Sequence, residues 1–355
     1  MHNPLVSIII PTHNTGRFIE KAIKSIQDNN YENIEILCVD NSTDDTPAII
    51  QNLADKDPRI KIVKQTGKGI ANARNEGIKA SVGKYLYYVD SDDEIKNDTL
   101  QTCVSYLEEN NADIICCNAD LYLNNKRMQT IFGADYFKKQ LLICQAKDYE
   151  HSVIFTNTWQ CLIKREFLMN NNILFPEGVL YEDWIFMVNV FVKNPYCVFI
   201  KKSFYNYYDH KRDDQLTYNV TTKCLDSLKA YWISKEMIRA CNLNPYWDIV
   251  NDKKVFNFSS DFIYKKLLKS NNYSVIIMYF DMLREIIQNM NPLYFYSLIR
   301  QFSTIQIIIL LFIKEHKKIN KFNLACLKTR LFIQKCIDKI NWFMHIRHII
   351  YYQFT

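Results

Sequence analysis

Apolar and polar positions alternate in blocks over the first 120 residues. Val6–Ile10 is a largely apolar run of strand length, and Ile34–Val39, apolar from Ile36, is a second strand, ending at Asp40. Between them, over Arg17–Asp28, Phe18, Ala22, Ile23 and Ile26 recur at the spacing of one helix face. Asp44-Asp45-Thr46-Pro47 opens a helix to about Asp55, its acids suited to a helix N-terminus. Ile60–Val63 predicts a third strand, Ile70–Ala80 a helix, and Lys84–Val89 a fourth strand ending at Asp90. A helix near Asp98–Asn110 and a strand at Asp113–Cys117 complete the run. Continuous apolar strands separated by helices predict an α/β fold, with a mostly parallel central sheet covered on both faces.

Ligands of such sheets bind outside the carboxyl ends of the strands. Three polar clusters fall there: Pro11-Thr12-His13-Asn14, Asp40-Asn41-Ser42 and Asp90-Ser91-Asp92-Asp93. One alone would read as a turn, since Asp, Asn and Ser are common turn residues. Three at three strand ends point to a site. Residues 120–215 are less regular and carry Trp159, Glu182-Asp183-Trp184 and His210-Lys211-Arg212. From about Thr221 the pattern is helical. The stretch Ile305–Ile313 is too short to cross a bilayer, which needs about 20 residues. It reads as a core helix, with a helix lying on a membrane or on a partner subunit as the alternative.

Composition adds limits. The 355 residues are 48% apolar and 23% charged, which excludes disorder and collagen-like repeats. The 11 cysteines show no CxxC pairing and no zinc spacing, so reduced, buried thiols of a cytoplasmic protein are expected. The start has no basic region and no cleavage site, so no secretory leader is expected. Charge is uneven. Residues 301–355 carry nine Lys/Arg against two acids, a net +7, which leaves the other 300 residues at about −1.

The acidic cluster has a chemical reading. Three carboxylates in four residues repel one another and would take up protons if held together in a pocket. A hard cation such as Mg²⁺ or Mn²⁺ relieves this, since it takes oxygen ligands from a few carboxylates, water and substrate phosphates. The simpler alternative is a solvated acidic turn ahead of the helix near Asn97. No GxxxxGK[ST] loop occurs, and Gly67-Lys68-Gly69 lacks a third glycine and does not follow a strand end. A P-loop ATPase and an ordinary Rossmann dehydrogenase are therefore disfavoured.

Five segments in order carry a family resemblance. Val6-Ser7-Ile8-Ile9-Ile10-Pro11-Thr12-His13-Asn14 resembles the opening strand of family 2 glycosyltransferases of the GT-A fold. Ile36–Thr46 resembles their second strand and acidic loop, and Ala73-Arg74-Asn75-Glu76-Gly77 their ARNxG helix. Gly83–Asp93 resembles the strand that carries the DxD motif, and Phe175–Gly178 with Tyr181–Phe186 the xED region. The match covers roughly residues 4–215; nothing specific is recognised beyond about 220.

The resemblance implies a catalytic domain over 1–219, with a nucleotide-binding half at 1–120 and an acceptor half at 121–219; the helical basic region over 220–355 is read from its pattern and charge alone. It implies an inverting, metal-dependent hexosyltransferase. A nucleotide-sugar donor, expected to be a UDP-sugar, would give up a hexose or N-acetylhexosamine to a lipid-linked or oligosaccharide acceptor of a surface glycan such as lipopolysaccharide or capsule. By this resemblance Pro11, Thr12, His13 and Asp40 line the base. Arg74, Asp90 and Ser91 lie near the nucleotide. Asp92 binds Mn²⁺ or Mg²⁺, Asp183 is the catalytic base, and His210 joins that metal, with a surface loop histidine as the alternative. For Arg74 the alternative is a surface ion pair with its helix neighbours; for Glu182-Asp183 it is an acidic pair at a helix start. Lys211 or Arg212 would hold the diphosphate, or form a solvated turn.

Two departures stand out. His13 occupies a position where Tyr is more usual in the family. In Trp159-Gln160-Cys161-Leu162 a cysteine stands where the family has lysine, so the basic contact is either missing or supplied by Lys164 or Arg165. The basic, aromatic tail, with Phe312, Trp342, Phe343, Tyr351 and Tyr352, suits the cytoplasmic face of a membrane; a helical subdomain or a homo-oligomer contact is the alternative. A nucleotidyltransferase is disfavoured because only Arg17 follows the first strand end in place of a glycine-rich basic loop. A catalytically inactive relative acting as a membrane-associated or scaffolding module is the main competing reading. No RNA-binding signature supports nucleic acid as a partner.

Overall fold

The computed structural model describes residues 3–123, 126–131, 140–152, 155–210, 221–270, 272–289 and 327. The expectations for Lys211, Arg212 and the aromatic and basic residues of 301–355 lie outside these residues.

Strands β1 (Val6–Thr12), β2 (Ile34–Asp40), β3 (Ile60–Lys64) and β4 (Tyr85–Tyr88) alternate with helices α1 (Ile19–Gln27), α2 (Thr46–Ala54) and α3 (Gly69–Ala80). They lie in the order β3-β2-β1-β4, all parallel. β1 is buried at every position, the polar Ser7 and Thr12 included, as befits a central parallel strand. α1 buries Ile19, Ala22, Ile23 and Ile26, the stripe that its spacing predicts.

The second half differs from a simple parallel sheet. A two-residue strand β5 (Glu94–Ile95) and helix α4 (Thr99–Glu109) lead to β6 (Ile114–Leu123), β7 (Lys126–Ile131) and β8 (Leu141–Gln145). Next come β9 (Cys161–Lys164), α5 (Arg165–Asn170), α6 (Glu182–Val192) and β10 (Tyr196–Asp209). β9 is inserted antiparallel between β4 and β6, and β10 runs parallel to β6 but antiparallel to β5 and β8. The sheet is therefore mixed beyond β4.

The chain divides into two compact units, Met1–Arg212 with Ala230–Asn251, and Asp213–Lys229 with Asp252–Thr355. The first takes in residues 230–251, past the boundary expected at 219. In it Trp184 of α6 donates its indole N–H to Asn251 Oδ1 at 3.3 Å. The second is helical where described. Its helix α7 (Tyr273–Gln288) buries Val275, Ile276, Tyr279, Phe280, Leu283 and Ile286, with the Tyr279 hydroxyl 3.0 Å from Ser259 Oγ. Among the described residues no helix is long and apolar enough to cross a membrane.

Candidate active site

The strand register brings the three polar clusters together. Thr12 pairs with Asp40, Ile9 pairs with Tyr88, and Val89 N donates to Ile9 O at 3.0 Å. The carboxyl ends of β1, β2 and β4 therefore open at one edge, where ligands of such sheets bind.

At the β1–β2 corner the backbone turns sharply and is held by side chains. Asn14 has φ +53°, a region where Asn is tolerated better than most residues. It accepts from Thr43 N at 2.8 Å, and its own N–H donates to Ser42 Oγ at 2.9 Å. Ser42 Oγ in turn donates to Asp40 Oδ1 at 2.6 Å, and His13 Nδ1 lies 2.7 Å from Asn41 O. The turn holds the half-buried Asp40 and the exposed ring of His13 beside each other.

The β4 end is a braced acidic turn. Asp93 N donates to Asp90 O at 3.1 Å. The Tyr205 hydroxyl of β10 donates to Asp93 Oδ2 at 2.9 Å and accepts from Asp90 N at 3.0 Å, and Tyr208 N donates to Asp93 Oδ1 at 2.8 Å. Burial, with the charges of Asp92 and Asp90, pushes the Asp93 carboxyl well above the usual range. Asp93 is thus an internal brace, while Asp90 and Asp92 remain partly open. His210, at the end of β10, places Nε2 3.2 Å from the Asp92 carbonyl oxygen and packs its ring 4.3 Å from that of Phe18.

Arg74 is the hinge of the arrangement. It is 3% exposed, so it is no surface residue, and the neighbouring surface pair is Glu76 with Lys79 at 3.0 Å. Its Nη1 donates to Glu182 Oε1 at 2.5 Å, its Nη2 to Asp90 Oδ1 at 3.1 Å, and its Nε has no acceptor among the described residues. Burial opposes its charge, but Asp90, Glu182 and Asp183 outweigh that and hold its pKa above the ordinary value. Glu182 and Asp183 form the first turn of α6, as an acidic pair at a helix start should. Asp183 Oδ1 also accepts from Trp184 N at 2.8 Å.

The approach to α6 is tied to α3. Asn75 Oδ1 accepts from Phe175 N at 2.8 Å, while its Nδ2 donates to Phe175 O at 3.0 Å. Asn72 Nδ2 reaches Glu177 Oε1 at 3.2 Å. These partners, and the roles of Tyr205 and Phe18, were not legible in the sequence. Each links segments 100 or more residues apart, and no local spacing records that.

The lysine substitutes expected near Trp159 are not at this edge. Lys164 pairs with Tyr85, at the opposite end of β4, and Arg165 Nε donates to Ser81 Oγ at 3.2 Å. Cys161 is buried, with its Sγ 3.4 Å from Cys116 Sγ. Trp159 stacks on Tyr205 and Tyr207 of β10.

Among the described residues no three His, Cys, Asp or Glu side chains converge on one point. A hard cation does not need three, because one or two carboxylates suffice when water and phosphate complete the shell. Asp92 offers oxygen in a turn crowded with negative charge, and the nearby cation Arg74 is already engaged by Asp90 and Glu182. That donor set fits such an ion.

Comparison with known proteins agrees with this architecture. The model of the family "Glycosyl transferase family 2" matches residues 7–156. An uncharacterised Bacillus subtilis (strain 168) glycosyltransferase, EpsJ, is 32% identical over 193 residues, 53% of this chain and 56% of the relative. Glycosyltransferase GlyG of Streptococcus pneumoniae serotype 4 is 31% identical over 216 residues, 57% of this chain and 70% of the relative. The chain thus spans little more than half of one relative and about two thirds of the other. The solved structure of S. aureus TarS residues 1–349 in complex with UDP-GlcNAc superposes with a TM-score of 0.64 at 18% identity, covering 80% of each chain. The strand-end geometry, the ordered motifs and these similarities converge: the chain belongs to glycosyl transferase family 2 and has a GT-A-like fold.

Proposed function

We propose that this glycosyltransferase is inverting and metal-dependent. It moves a hexose or N-acetylhexosamine from a UDP-sugar to a hydroxyl of a lipid-linked or oligosaccharide acceptor in surface-glycan synthesis, at the inner face of the cell membrane. One observation carries the reading. The buried Arg74 pairs at once with Asp90 of the acidic strand end and Glu182 of the acid-bearing helix, so donor-side and base-side residues share one site.

In this reading Pro11, Thr12, His13 and Asp40 receive the base, and Asp90, Ser91 and Arg74 face the nucleotide. Asp92, with His210 beside it, would hold Mn²⁺ or Mg²⁺, which supplies charge neutralisation for a leaving diphosphate. The acceptor oxygen attacks the anomeric carbon opposite the diphosphate, the bond from that carbon to the diphosphate breaks, and Asp183 takes the hydroxyl proton. The strand-end carboxylates support a donor with a diphosphate and a metal. The TarS complex with UDP-GlcNAc supports a uridine nucleotide.

The test is release of nucleoside diphosphate from a panel of UDP-, GDP- and dTDP-sugars with Mn²⁺. The expected result is release from one UDP-sugar, reduced roughly 10²- to 10⁴-fold in Asp183→Asn and abolished in Asp92→Ala. Wild-type rates in both variants would overturn the assignment. No metal-dependent nucleotide binding at all would favour an inactive relative.

A further inference from the structure

We infer that Arg74 and Glu182 are a positioning pair that sets Asp183 against the donor end of the sheet; this rests on the base role proposed for Asp183. Glu182 precedes Asp183 directly in the first turn of α6. The residue before it, Tyr181, has φ +66°, a left-handed conformation that a bulky aromatic residue rarely adopts. The start of α6 therefore needs contacts that hold it in place.

Those contacts come from α3. Arg74 and Glu182 are 3% and 8% exposed, and the guanidinium fork spans from Glu182 to Asp90. A lysine could satisfy one acid but not both at fixed angle, because it lacks the planar fork. A buried ion pair of this kind gives little net stability, since desolvation offsets its attraction. Its effect is to fix where two acidic segments sit. The same helix holds Phe175 through Asn75 and Glu177 through Asn72, and Phe175 stacks face to face on Phe186 of α6 at 3.8 Å. Arg74 Cζ also lies 5.3 Å from the Phe175 ring centroid. Helix α3 thus grips the segment carrying Asp183 ahead of Asp183 and within α6. Glu182 directs its carboxylate into Arg74 and acts through its neighbour.

The experiment uses the full-length protein and the UDP-sugar that the donor panel identifies. It measures kcat and KM for UDP release, the Kd of UDP with Mn²⁺, and thermal melting. Glu182→Gln keeps an acceptor oxygen for Arg74 but removes the charge; Arg74→Lys keeps the charge but loses the fork. The pair predicts a kcat roughly 10- to 100-fold lower in both, as a misplaced catalytic group produces. In Glu182→Gln, donor KM and the Kd for UDP should stay within about threefold of wild type, because Glu182 meets Arg74 and has no assigned part in holding the nucleotide. Unchanged kcat in either folded variant overturns the inference. So does a Glu182→Gln loss confined to donor KM, which would show the pair acting on donor binding and not on the base. Should Glu182→Gln fail to fold, Arg74→Lys decides alone. Asp183→Asn separates the two levels. If it keeps wild-type activity, the base role fails and the pair with it. If it is inactive while Glu182→Gln matches wild type, only the pair fails.

Discussion

Gly77 sits on α3 where the helix crosses β1, and a Cβ built there would lie 2.3 Å from Cγ2 of Ile9. Ile9 is fully buried and branched, so it cannot turn aside without moving β1. Alanine is the better helix former by about 1 kcal/mol, but overpacking a rigid core costs about 1–3 kcal/mol. The balance falls on the side of loss. Gly77→Ala should lower the melting temperature, and calorimetry on wild type and variant checks it; a melting temperature equal to wild type or higher contradicts the close packing. Because Arg74 and Asn75 lie less than one turn earlier, the same displacement should also reduce donor turnover. Asn75 makes a second case. Its amide bonds both backbone groups of Phe175, and Asn75→Ala leaves that buried N–H and C=O without these partners. Each unsatisfied group costs about 1–3 kcal/mol, so a melting curve should show a larger loss than for an exposed helix asparagine such as Asn52.

At the scale of elements, the β6–β7 hairpin carries a pH-dependent contribution. Asp120 on β6 is buried beside Lys96 at 2.7 Å and Arg127 of β7 at 2.8 Å. Burial pushes its carboxyl up, but the hydrogen bonds from Arg127 and Lys96 outweigh that and hold it below the ordinary range. A depressed carboxylate stabilises the fold above its unfolded pKa, about 4, and the contribution is lost as pH falls through the lower folded value. Wild type should therefore lose stability below about pH 4, and Asp120→Asn should show a flatter acid limb in urea unfolding; parallel limbs would remove Asp120 as the cause. How much of the architecture the sequence discloses also varies by element. The β1–β4 run was legible because buried parallel strands read as apolar blocks, and Asp40 and Asp90 then mark their ends. β10 was not. It is 14 residues of mixed aromatic and polar side chains, with register shifts after Phe199 and Ser203 that break any two-residue period. β9 is four residues long and inserts antiparallel, which a β-α rhythm does not anticipate. Of the proposed site, Asp92 and Asp183 are picked out by motif alone, whereas the burial of Arg74 and its pairing with Glu182 depend on how α3 meets the start of α6.

At the scale of the whole molecule, charge is the organising variable. The net +6 is more than accounted for by residues 301–355, whose net +7 faces a remainder of about −1. A near-neutral catalytic body leaves the tail to set any attraction to an anionic surface. Each Lys or Arg near an anionic membrane contributes about 1 kcal/mol, and that attraction decays within a Debye length of about 10 Å at 0.1 M salt. The full-length protein should therefore float with vesicles containing 30% phosphatidylglycerol but not with pure phosphatidylcholine, and raising the salt to 0.5 M should release it. Replacing Lys314, Lys317, Lys318 and Lys321 with Gln removes four charges. At about 1 kcal/mol each, and tenfold in affinity per 1.4 kcal/mol, vesicle binding should weaken by up to roughly 10³-fold. UDP-sugar hydrolysis in solution should stay at the wild-type rate, since none of the residues assigned to donor or base is among the four changed. Equal binding to neutral and anionic vesicles, insensitive to salt, would show instead that apolar contact and not charge brings the enzyme to its acceptor.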